Sequence, residues 1–427
     1  MCTIRWAFVA LIFCCVPVLA QTPSAPAGHT AVTIDPHDFD RYAGYYRLGP
    51  RLVVRLWREG NHFYFGTVGT PQRLELFAES STQFFLKNLP VVFSFHPAAG
   101  GTVTAMTMNQ AGRDIQAVRI DEAQAKSIPS APHGHPMPRT WPVVLLKPQM
   151  LTNPTAGIMD VWPSFSPDGG TVLFSRTTDR GKNWTLYCVS ASGGTATPFA
   201  ALPGSVTRVD WSAPTGRLAF NRNGPGGSHG IWVSDADGGH AHTVATGNAT
   251  FPAYAFWYPD GKSIGFVDAA RGILYRVNAA GGAPIALTRQ AQVLAGMSRV
   301  APDGKWVAFA GQKNNGQAYD QEENQIWLTD GSGNARPLET PPLPGRAPSW
   351  SPDGRRIVFE SDRGSPDGRY AIFLINRDGT GLTQLTDYAL NAGHPVFSPD
   401  GRRLVFDMGN PAKNISAIGI VELPAMP

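Results

Sequence analysis

The stretch Phe165-Ser-Pro-Asp-Gly169 decides the fold, because five close copies of it follow along the chain. Successive copies lie about 46 residues apart, a period typical of proteins assembled from four-stranded repeats. The copies are Trp211-Ser-Ala-Pro-Thr-Gly216 (degraded and one residue longer), Trp257-Tyr-Pro-Asp-Gly261, Val300-Ala-Pro-Asp-Gly304, Trp350-Ser-Pro-Asp-Gly354 and Phe397-Ser-Pro-Asp-Gly401. Self-similarity of this kind fixes the architecture before any local motif is considered.

Each copy predicts a tight turn between two β-strands. Proline pre-sets φ, aspartate bonds its own backbone, and glycine tolerates positive φ. An apolar run follows each turn and reads as a second strand, as in Ile357-Val-Phe-Glu360. A third strand ending in a glycine turn and a short fourth strand, such as Leu382–Thr386, complete each unit. Four short strands per repeat predict the blade of a β-propeller.

The last repeat lacks its fourth strand after Ile415–Val421. The segment Pro142–Leu146, which runs into Gln149–Thr152, has the pattern of an outer strand without inner strands before it. Strands from both ends of the module would close the ring and remove exposed sheet edges. We therefore expect a six-bladed propeller over residues 141–427 and an all-β fold class.

The repeat resembles the TolB-type propeller repeat, the WD40-like Pro-Asp repeat of bacterial proteins, over roughly Trp141 to Leu423. The resemblance implies a periplasmic or secreted propeller that binds other molecules through the mouth of its central channel. In TolB itself the propeller follows an α/β domain, whereas the N-terminal part of this chain has an all-β pattern.

Residues 36–121 predict a separate small β-domain. Alternating runs such as Leu52–Trp57 and Val91–Phe95, separated by glycine turns, indicate a meander that closes into a barrel or sandwich. The segment Phe39–Tyr46, with Leu76–Ser80 and Phe84–Leu86, resembles a lipocalin-like accessory domain that bacteria carry beside serine hydrolases and some peptidases. Residues 122–140, which are rich in proline, are expected to be a linker.

The N-terminus indicates export. Residues 1–20 have the pattern of a signal peptide, with cleavage expected near Ala20, and the mature chain is expected to lack a transmembrane span. Acylation at Cys14 or Cys15 is the alternative. Cleavage leaves Cys188 as the one cysteine, expected in a core. A net charge of +4 without basic clusters argues against nucleic acid as a partner.

Two patterns suggest chemistry, and each has a simpler interpretation. Gly226-Gly-Ser-His-Gly230 matches the nucleophile elbow, but that motif needs a strand-to-helix turn of an α/β sheet, so a hairpin turn is favoured. The pairs His133/His135 and His240/His242 have metal-compatible spacing without a third ligand nearby. We expect no metal, no cofactor and no catalytic residues.

The register of the repeat points to a binding site. Each copy of the turn motif begins with an aromatic or apolar residue, such as Phe165. The residue three positions before it should face the central channel. We expect these positions to precede the innermost strand and to form one channel mouth. They are Trp162, Arg208, Tyr254, Met297, Ala347 and His394, with Arg346 one residue further back taken as the fifth unit's ligand-binding residue.

These observations predict an exported, non-enzymatic propeller that binds a protein, peptide or carbohydrate at the channel mouth. The alternative is a propeller enzyme, a hydrolase or metal-dependent lyase, that uses histidines facing the channel.

Overall fold

A computed structural model describes residues 29–424, apart from 71–72, 88, 99, 129–133, 200–201, 203, 224–228 and 411–414. The expected signal peptide at residues 1–20 lies outside this range, as do His133 and Ser228. None of the helices in the described part of the chain has the length and apolar character needed to cross a membrane.

The first sheet is a closed antiparallel barrel, counted as eight strands within the described residues. The strands are β1 (Gly44–Arg47), β2 (Val53–Glu59), β3 (His62–Thr67), β4 (Leu74–Ala78), β5 (Gln83–Phe85), β6 (Val91–Phe95), β7 (Ala105–Gln110) and β8 (Arg113–Ile120). Each strand pairs with the next, and β1 also pairs with β8. Of the two predicted forms, the barrel is therefore the one that this sequence adopts.

Aromatic side chains fill the barrel. A 3-10 helix, Pro36–Arg41, precedes β1 and places the buried Phe39 ring 4.5 Å from Phe63, centroid to centroid. Tyr42 stacks on Phe95 at 4.2 Å, and its main-chain carbonyl accepts a hydrogen bond from the Tyr46 hydroxyl. Burial of these large rings, together with the closed ladder, gives this small sheet a core of its own.

The expected linker is partly ordered by local hydrogen bonds. Helix α1 (Glu122–Ser127) begins with a capping box, in which the Asp121 carboxylate accepts from the Gln124 amide and the Gln124 side chain accepts from the Asp121 amide. Further along, Trp141 is buried and packs edge-on against Phe373 at 5.6 Å. The segment before the repeats thus lies against them instead of spanning free solvent.

Residues 149–422 form propeller-like sheets of short antiparallel strands. Four of the sheets in the described chain have four strands each, and a fifth has eight, in which two groups of four are joined by one parallel pairing, Met159↔Ser416. The strands are β9 (Gln149–Met150), β10 (Met159–Phe165), β11 (Thr171–Thr177), β12 (Thr185–Ser190), β13 (Thr197–Pro198), β14 (Ser205–Trp211), β15 (Leu218–Asn223), β16 (His229–Ser234), β17 (His242–Thr243), β18 (Pro252–Trp257), β19 (Ser263–Asp268), β20 (Ile273–Asn278), β21 (Ile285–Ala286), β22 (Val293–Val300), β23 (Val307–Lys313), β24 (Gln325–Thr329), β25 (Ala335–Pro337), β26 (Arg346–Trp350), β27 (Arg356–Ser361), β28 (Ala371–Asn376), β29 (Thr383–Gln384), β30 (Ala392–Phe397), β31 (Arg403–Asn410) and β32 (Ile415–Glu422). The predicted all-β fold class is confirmed.

The repeated motif forms the turn that was expected of it. In the first copy, Asp168 accepts hydrogen bonds from the Ser166 hydroxyl and from the Gly170 amide, and Ser166 Oγ accepts from the Thr171 amide. Gly169 has a φ of 71°, a backbone conformation that would be strained for a residue with a side chain. The same serine–aspartate contact, at 2.5 Å, recurs in the copies at Ser351 and Ser398.

The last group of strands takes its outer strand from before the first repeat, as predicted, but only from the second part of the predicted segment, Gln149–Thr152. Strand β9 pairs with β32 through Met150↔Gly419, and the Leu151 amide donates to the Ile418 carbonyl at 2.9 Å. Pro142–Leu146 lies elsewhere: the amides of Val144 and Leu146 donate to the carbonyls of Gln384 and Leu385. The expectation that Pro142–Leu146 closes the ring is therefore wrong, because that segment extends the sheet of β26–β29.

A long loop between β23 and β24, residues 314–324, packs against the barrel. Ala318 packs into the barrel core, and its amide donates to the Leu48 carbonyl at 3.0 Å. Arg51 of the barrel forms ion pairs with Asp320 at 3.0 Å and Glu323 at 3.2 Å. The loop thus covers one end of the barrel while its two ends remain in a propeller-like sheet.

Candidate ligand-binding channel

The innermost strand of every repeat is interrupted by a β-bulge at the same place. The register shifts lie between Val161/Ser164, Thr207/Asp210, Ala253/Phe256, Ala295/Ser298, Arg346/Ser349 and Gly393/Val396. A bulge bends its strand and redirects a side chain, and such bulges concentrate at functional sites. Each shift contains one of the residues that the repeat register singled out. These residues lie within the innermost strands, so the expectation that they precede them is wrong.

Five of these six bulge residues are in the left-handed region, which is unfavourable for side chains with a Cβ. Their φ angles are 57° for Trp162, 54° for Arg208, 60° for Tyr254, 50° for Ala347 and 50° for His394. Met297 is the exception, and Gly296 precedes it within the same bulge. A Cβ on Gly296 would lie 2.7 Å from the hydroxyl of the half-buried Tyr319 in the loop 314–324.

The bulges turn their side chains toward a shared cavity of about 60 Å³, which has room for a few water molecules. The cavity is lined by residues of all the innermost strands, including Trp162, Arg208, Tyr254, Met297, Ala347 and His394. Proline follows the bulge residue at Pro163, Pro348 and Pro395, and these prolines also line the cavity. The spacing within the repeat thus selected residues that meet in space although up to 232 residues separate them in sequence, from Trp162 to His394.

Arg208 lies over two aromatic rings in this cavity. Its guanidinium carbon is 4.5 Å from the Trp162 ring centroid and 4.6 Å from that of Tyr254, distances typical of cation–π contacts. Burial lowers the pKa of the Arg208 guanidinium, and the carboxylates of Glu360 and Asp407 offset this only in part. A desolvated cation therefore faces the cavity.

His394 is held in one orientation by its neighbours. Its Nδ1 lies 2.9 Å from Asp407 Oδ2, and its Nε2 accepts a hydrogen bond of 3.2 Å from the Trp162 indole. Because Nε2 is an acceptor, the proton of the neutral ring is placed on Nδ1, which donates to Asp407. The same Asp407 oxygen accepts from the Trp162 amide at 2.9 Å.

Arg346 is turned away from the cavity, so the structure does not place it with the other predicted site residues. Its guanidinium pairs with Glu360 at 2.6 Å and Glu322 at 3.2 Å and lies over the Tyr370 ring at 4.0 Å. Burial acts to lower the pKa of Arg346, but the surrounding acidic groups outweigh it and hold the pKa well above its usual value. The neighbouring bulge residue Ala347 lines the cavity instead.

Side chains from the neighbouring repeat hold several of the bulge amides, and the sequence did not predict these contacts. Asn221 accepts from the Tyr254 amide at 3.0 Å, Glu360 from the His394 amide at 2.7 Å, and Asp407 from the Trp162 amide at 2.9 Å. All three acceptors follow the phenylalanine of the second strand, at Phe220, Phe359 and Phe406. The polar residue after that phenylalanine is the feature of the sequence that indicates these acceptors, because a bulge leaves a backbone amide that needs a hydrogen-bond acceptor.

The three described histidines of the two pairs, His135, His240 and His242, do not line the cavity. His135 bonds Asp362 at 2.8 Å, His240 bonds Asp235 at 2.6 Å, and His242 contacts the His240 carbonyl. Within the described residues, no group of three or more His, Cys, Asp or Glu side chains is placed to hold a metal ion. Cys188 is half-buried in β12, with its sulfur 3.6 Å from the Thr197 hydroxyl.

These features define an all-β protein with propeller-like sheets whose innermost strands line one cavity. No protein-family model and no curated protein matches the sequence. Among solved structures, the chain is similar to a putative TolB from Agrobacterium tumefaciens, with 20% identity over 54% of this chain and 95% of that one and a TM-score of 0.42. It is also similar to TolB from Acinetobacter baumannii (14% identity, 85% and 89% of the two chains, TM-score 0.43) and to a gluconolactonase from Xanthomonas campestris (16%, 64% and 89%, 0.46).

Proposed function

We propose that this chain is an exported, six-bladed TolB-like propeller that binds a protein, peptide or carbohydrate ligand in its central channel. The eight-stranded sheet counts as two blades in this interpretation, the first (β10–β13) and the last (β30–β32 with β9). The barrel then acts as an accessory domain of the lipocalin-like kind. Export rests on the signal-like pattern at residues 1–20.

One observation carries the proposal: the bulges on the innermost strands direct side chains of equivalent register into one cavity. Left-handed φ angles at residues with a Cβ cost free energy, of order 1–3 kcal/mol each, and persist where the surroundings enforce them. Strain of this kind, repeated around a channel, supports a binding role. The lining combines two arginines, Arg208 and Arg299, with two aromatic rings and a histidine, residue types that anchor ligands.

The test is a screen of the mature protein against peptide and glycan arrays, followed by affinity measurements on variants. For a ligand found this way, Trp162→Ala or Tyr254→Ala should weaken binding about thirtyfold, because the loss of an anchor costs about 2 kcal/mol. Trp232→Ala is the matched control, since Trp232 also stacks against an arginine, Arg222 at 4.2 Å, but does not line the cavity.

Binding that survives both channel substitutions, but is abolished by changes at His62, Tyr64 or Arg73 on the barrel, would contradict the proposal. The barrel would then be the part of the protein that recognises the ligand, and the repeats would support it.

A second candidate function is that of an enzyme, either a hydrolase or a metal-dependent lyase. The Asp407–His394 pair supports it. A carboxylate that fixes the tautomer of a histidine is the arrangement of a general base. Metal analysis of the purified protein discriminates between the two functions. Manganese, zinc or calcium that is present in stoichiometric amount in the wild type and is lost in His394→Gln would favour the enzyme. Without such a metal, turnover that depends on His394 would have to be shown directly.

A further inference from the structure

The Arg208 guanidinium is a half-buried cation without a counter-ion among the described residues. It makes no hydrogen bond and no ion pair with any residue that the structure describes, and its contacts are with the rings of Trp162 and Tyr254. Other arginines beside the cavity have carboxylate partners, Arg299 with Asp210 at 3.6 Å and Arg346 with Glu360 at 2.6 Å. A desolvated charge without a partner is unfavourable, so the site calls for an anion from outside the chain.

The way Arg208 is held decides which part of it a ligand can reach. The guanidinium carbon lies over two aromatic rings, and contacts of this kind leave the N–H donors of a guanidinium unbonded. These donors form a rigid fork, and a planar carboxylate matches it with two parallel hydrogen bonds. The tryptophan and tyrosine rings also restrict the rotamers of the arginine, so less entropy is lost when a ligand binds.

A second, independent feature of the same cavity points to a hydrogen-bonding ligand. Ser298 is 5% exposed and lines the cavity, and its Oγ has no hydrogen-bond partner among the described residues. Such a hydroxyl costs free energy until an acceptor reaches it. Arg208 lies on β14 and Ser298 on β22, and both line the same small cavity. One anionic group in that cavity would therefore have donors from both strands.

The surrounding charge limits the anion to a single negative charge. Asp210, Glu360 and Asp407 are all close to the cavity, and the last two contribute to the electrostatics at Arg208. A dianionic phosphate would be repelled by these carboxylates, whereas one carboxylate balances the one unpaired arginine. The small volume, about 60 Å³, fits an end group better than a chain that passes through.

We propose that the channel binds its ligand by a terminal carboxylate, which pairs with the Arg208 guanidinium and accepts a hydrogen bond from Ser298. The proposal rests on the proposed function of the channel and names the chemical group that it recognises. A peptide C-terminus and a uronic acid share this chemistry.

Matched acid and amide probes test the proposal on the full mature protein. Saturation-transfer NMR would compare N-acetylglycine with N-acetylglycinamide and glucuronate with glucose, with inorganic phosphate as a further arm. Each acid should bind at least about tenfold more tightly than its neutral partner. Arg208→Gln should remove that preference, Arg208→Lys should restore part of it, and Ser298→Ala should weaken the acids alone. Arg217→Gln is the matched control, because Arg217 lies over the Trp257 ring at 5.8 Å outside the cavity.

The two acid arms distinguish the source of the carboxylate, since a peptide end and a sugar acid differ in the atoms beyond it. The proposal is overturned if acid and neutral probes bind equally, if phosphate binds more tightly than either acid, or if no acid binds. If acid and neutral probes bind equally and Trp162→Ala abolishes the binding of both, the channel is still a binding site, but it does not recognise a carboxylate. Acid binding unaffected by Arg208→Gln in a protein with unchanged melting would also overturn it.

Discussion

The Nε atom of Arg346 lies 2.6 Å from a carboxylate oxygen of Glu360, whose side chain is 1% exposed. The other Glu360 oxygen accepts from the His394 amide, which belongs to a cavity-lining bulge. Glu360 therefore holds two partners at once, an arginine from its own sheet and the backbone of the next. Arg346 acts with it as a structural pair, which explains why this arginine does not face the channel.

Glu360→Gln should destabilise the protein by about 3–5 kcal/mol, because breaking a buried pair leaves the arginine without a full counter-charge. The measurement is the free energy of unfolding in urea at neutral pH. The control is Asp367→Asn, which removes the partner of Arg369 from an exposed pair at 3.0 Å and should change stability by less than about 1 kcal/mol. Equal effects of the two substitutions would show that the Arg346–Glu360 pair contributes no more than a surface contact.

Closure of the last group of strands should depend on Leu151 and not on Leu145. Leu151 is 3% exposed and packs with Phe165 and Ile418, whereas Leu145 is 57% exposed in the segment that extends the neighbouring sheet. Leu151→Ala should cost about 2–5 kcal/mol, the range for deletions of buried leucine side chains, and Leu145→Ala should cost little. Thermal melting of the two variants decides between them. A larger loss for Leu145→Ala would favour closure through Pro142–Leu146.

The repeat register singles out the cavity-lining positions, although not the bulges themselves, because a fixed spacing from a turn fixes the place of each residue along the chain of its repeat. The Ser-Pro-Asp-Gly turn anchors the end of the innermost strand, and three residues back the chain bulges in every unit. Trp162 and His394 were identified this way and do meet, at 3.2 Å between their ring nitrogens. Local chemistry repeated at one period was sufficient for that inference.

The partners of those residues could not be predicted, because they depend on contacts between units. Nothing in the sequence around Arg346 shows that Glu322, on a loop 24 residues away, takes up its second donor. The same holds for Pro142–Leu146, whose pattern fits an outer strand of either neighbouring sheet. Which edge it joins is decided by the path of the chain in three dimensions, which the alternation of residues does not encode.

His135 should make the docking of the linker depend on pH. Its Nδ1 lies within 3.0 Å of both oxygens of the buried Asp362, and the hydrogen bond that it donates to this carboxylate raises the pKa of His135. A histidine with a raised folded-state pKa stabilises the fold fully below its unfolded value, about 6.5, and loses that contribution as pH rises through the folded value. Glu323 adds to this effect and Arg51 opposes it.

The measurement is the difference in unfolding free energy between the wild type and His135→Asn, taken at roughly pH 5.5 and roughly pH 8.5. The difference should be larger at the acidic pH. His240→Asn is the matched control, because His240 also bonds an aspartate, Asp235 at 2.6 Å, but its side chain is 89% exposed. A difference for His135→Asn that stays constant with pH would mean that the pair acts through packing alone.

The loop 314–324 should be coupled to the channel through Gly296 and Tyr319. A Cβ at Gly296 would lie 2.7 Å from the Tyr319 hydroxyl, which also accepts a hydrogen bond of 2.6 Å from Asn324. Gly296→Ala should therefore displace the half-buried tyrosine and destabilise the protein, by about 1–3 kcal/mol as for an overpacked site. Tyr319→Phe removes the obstructing oxygen and should cost about 1 kcal/mol through the lost hydrogen bond. In the double variant the two costs should be clearly less than additive, since the second change relieves the first. Chemical denaturation of the four proteins completes the cycle, and strict additivity would show that the glycine and the tyrosine hydroxyl do not constrain each other.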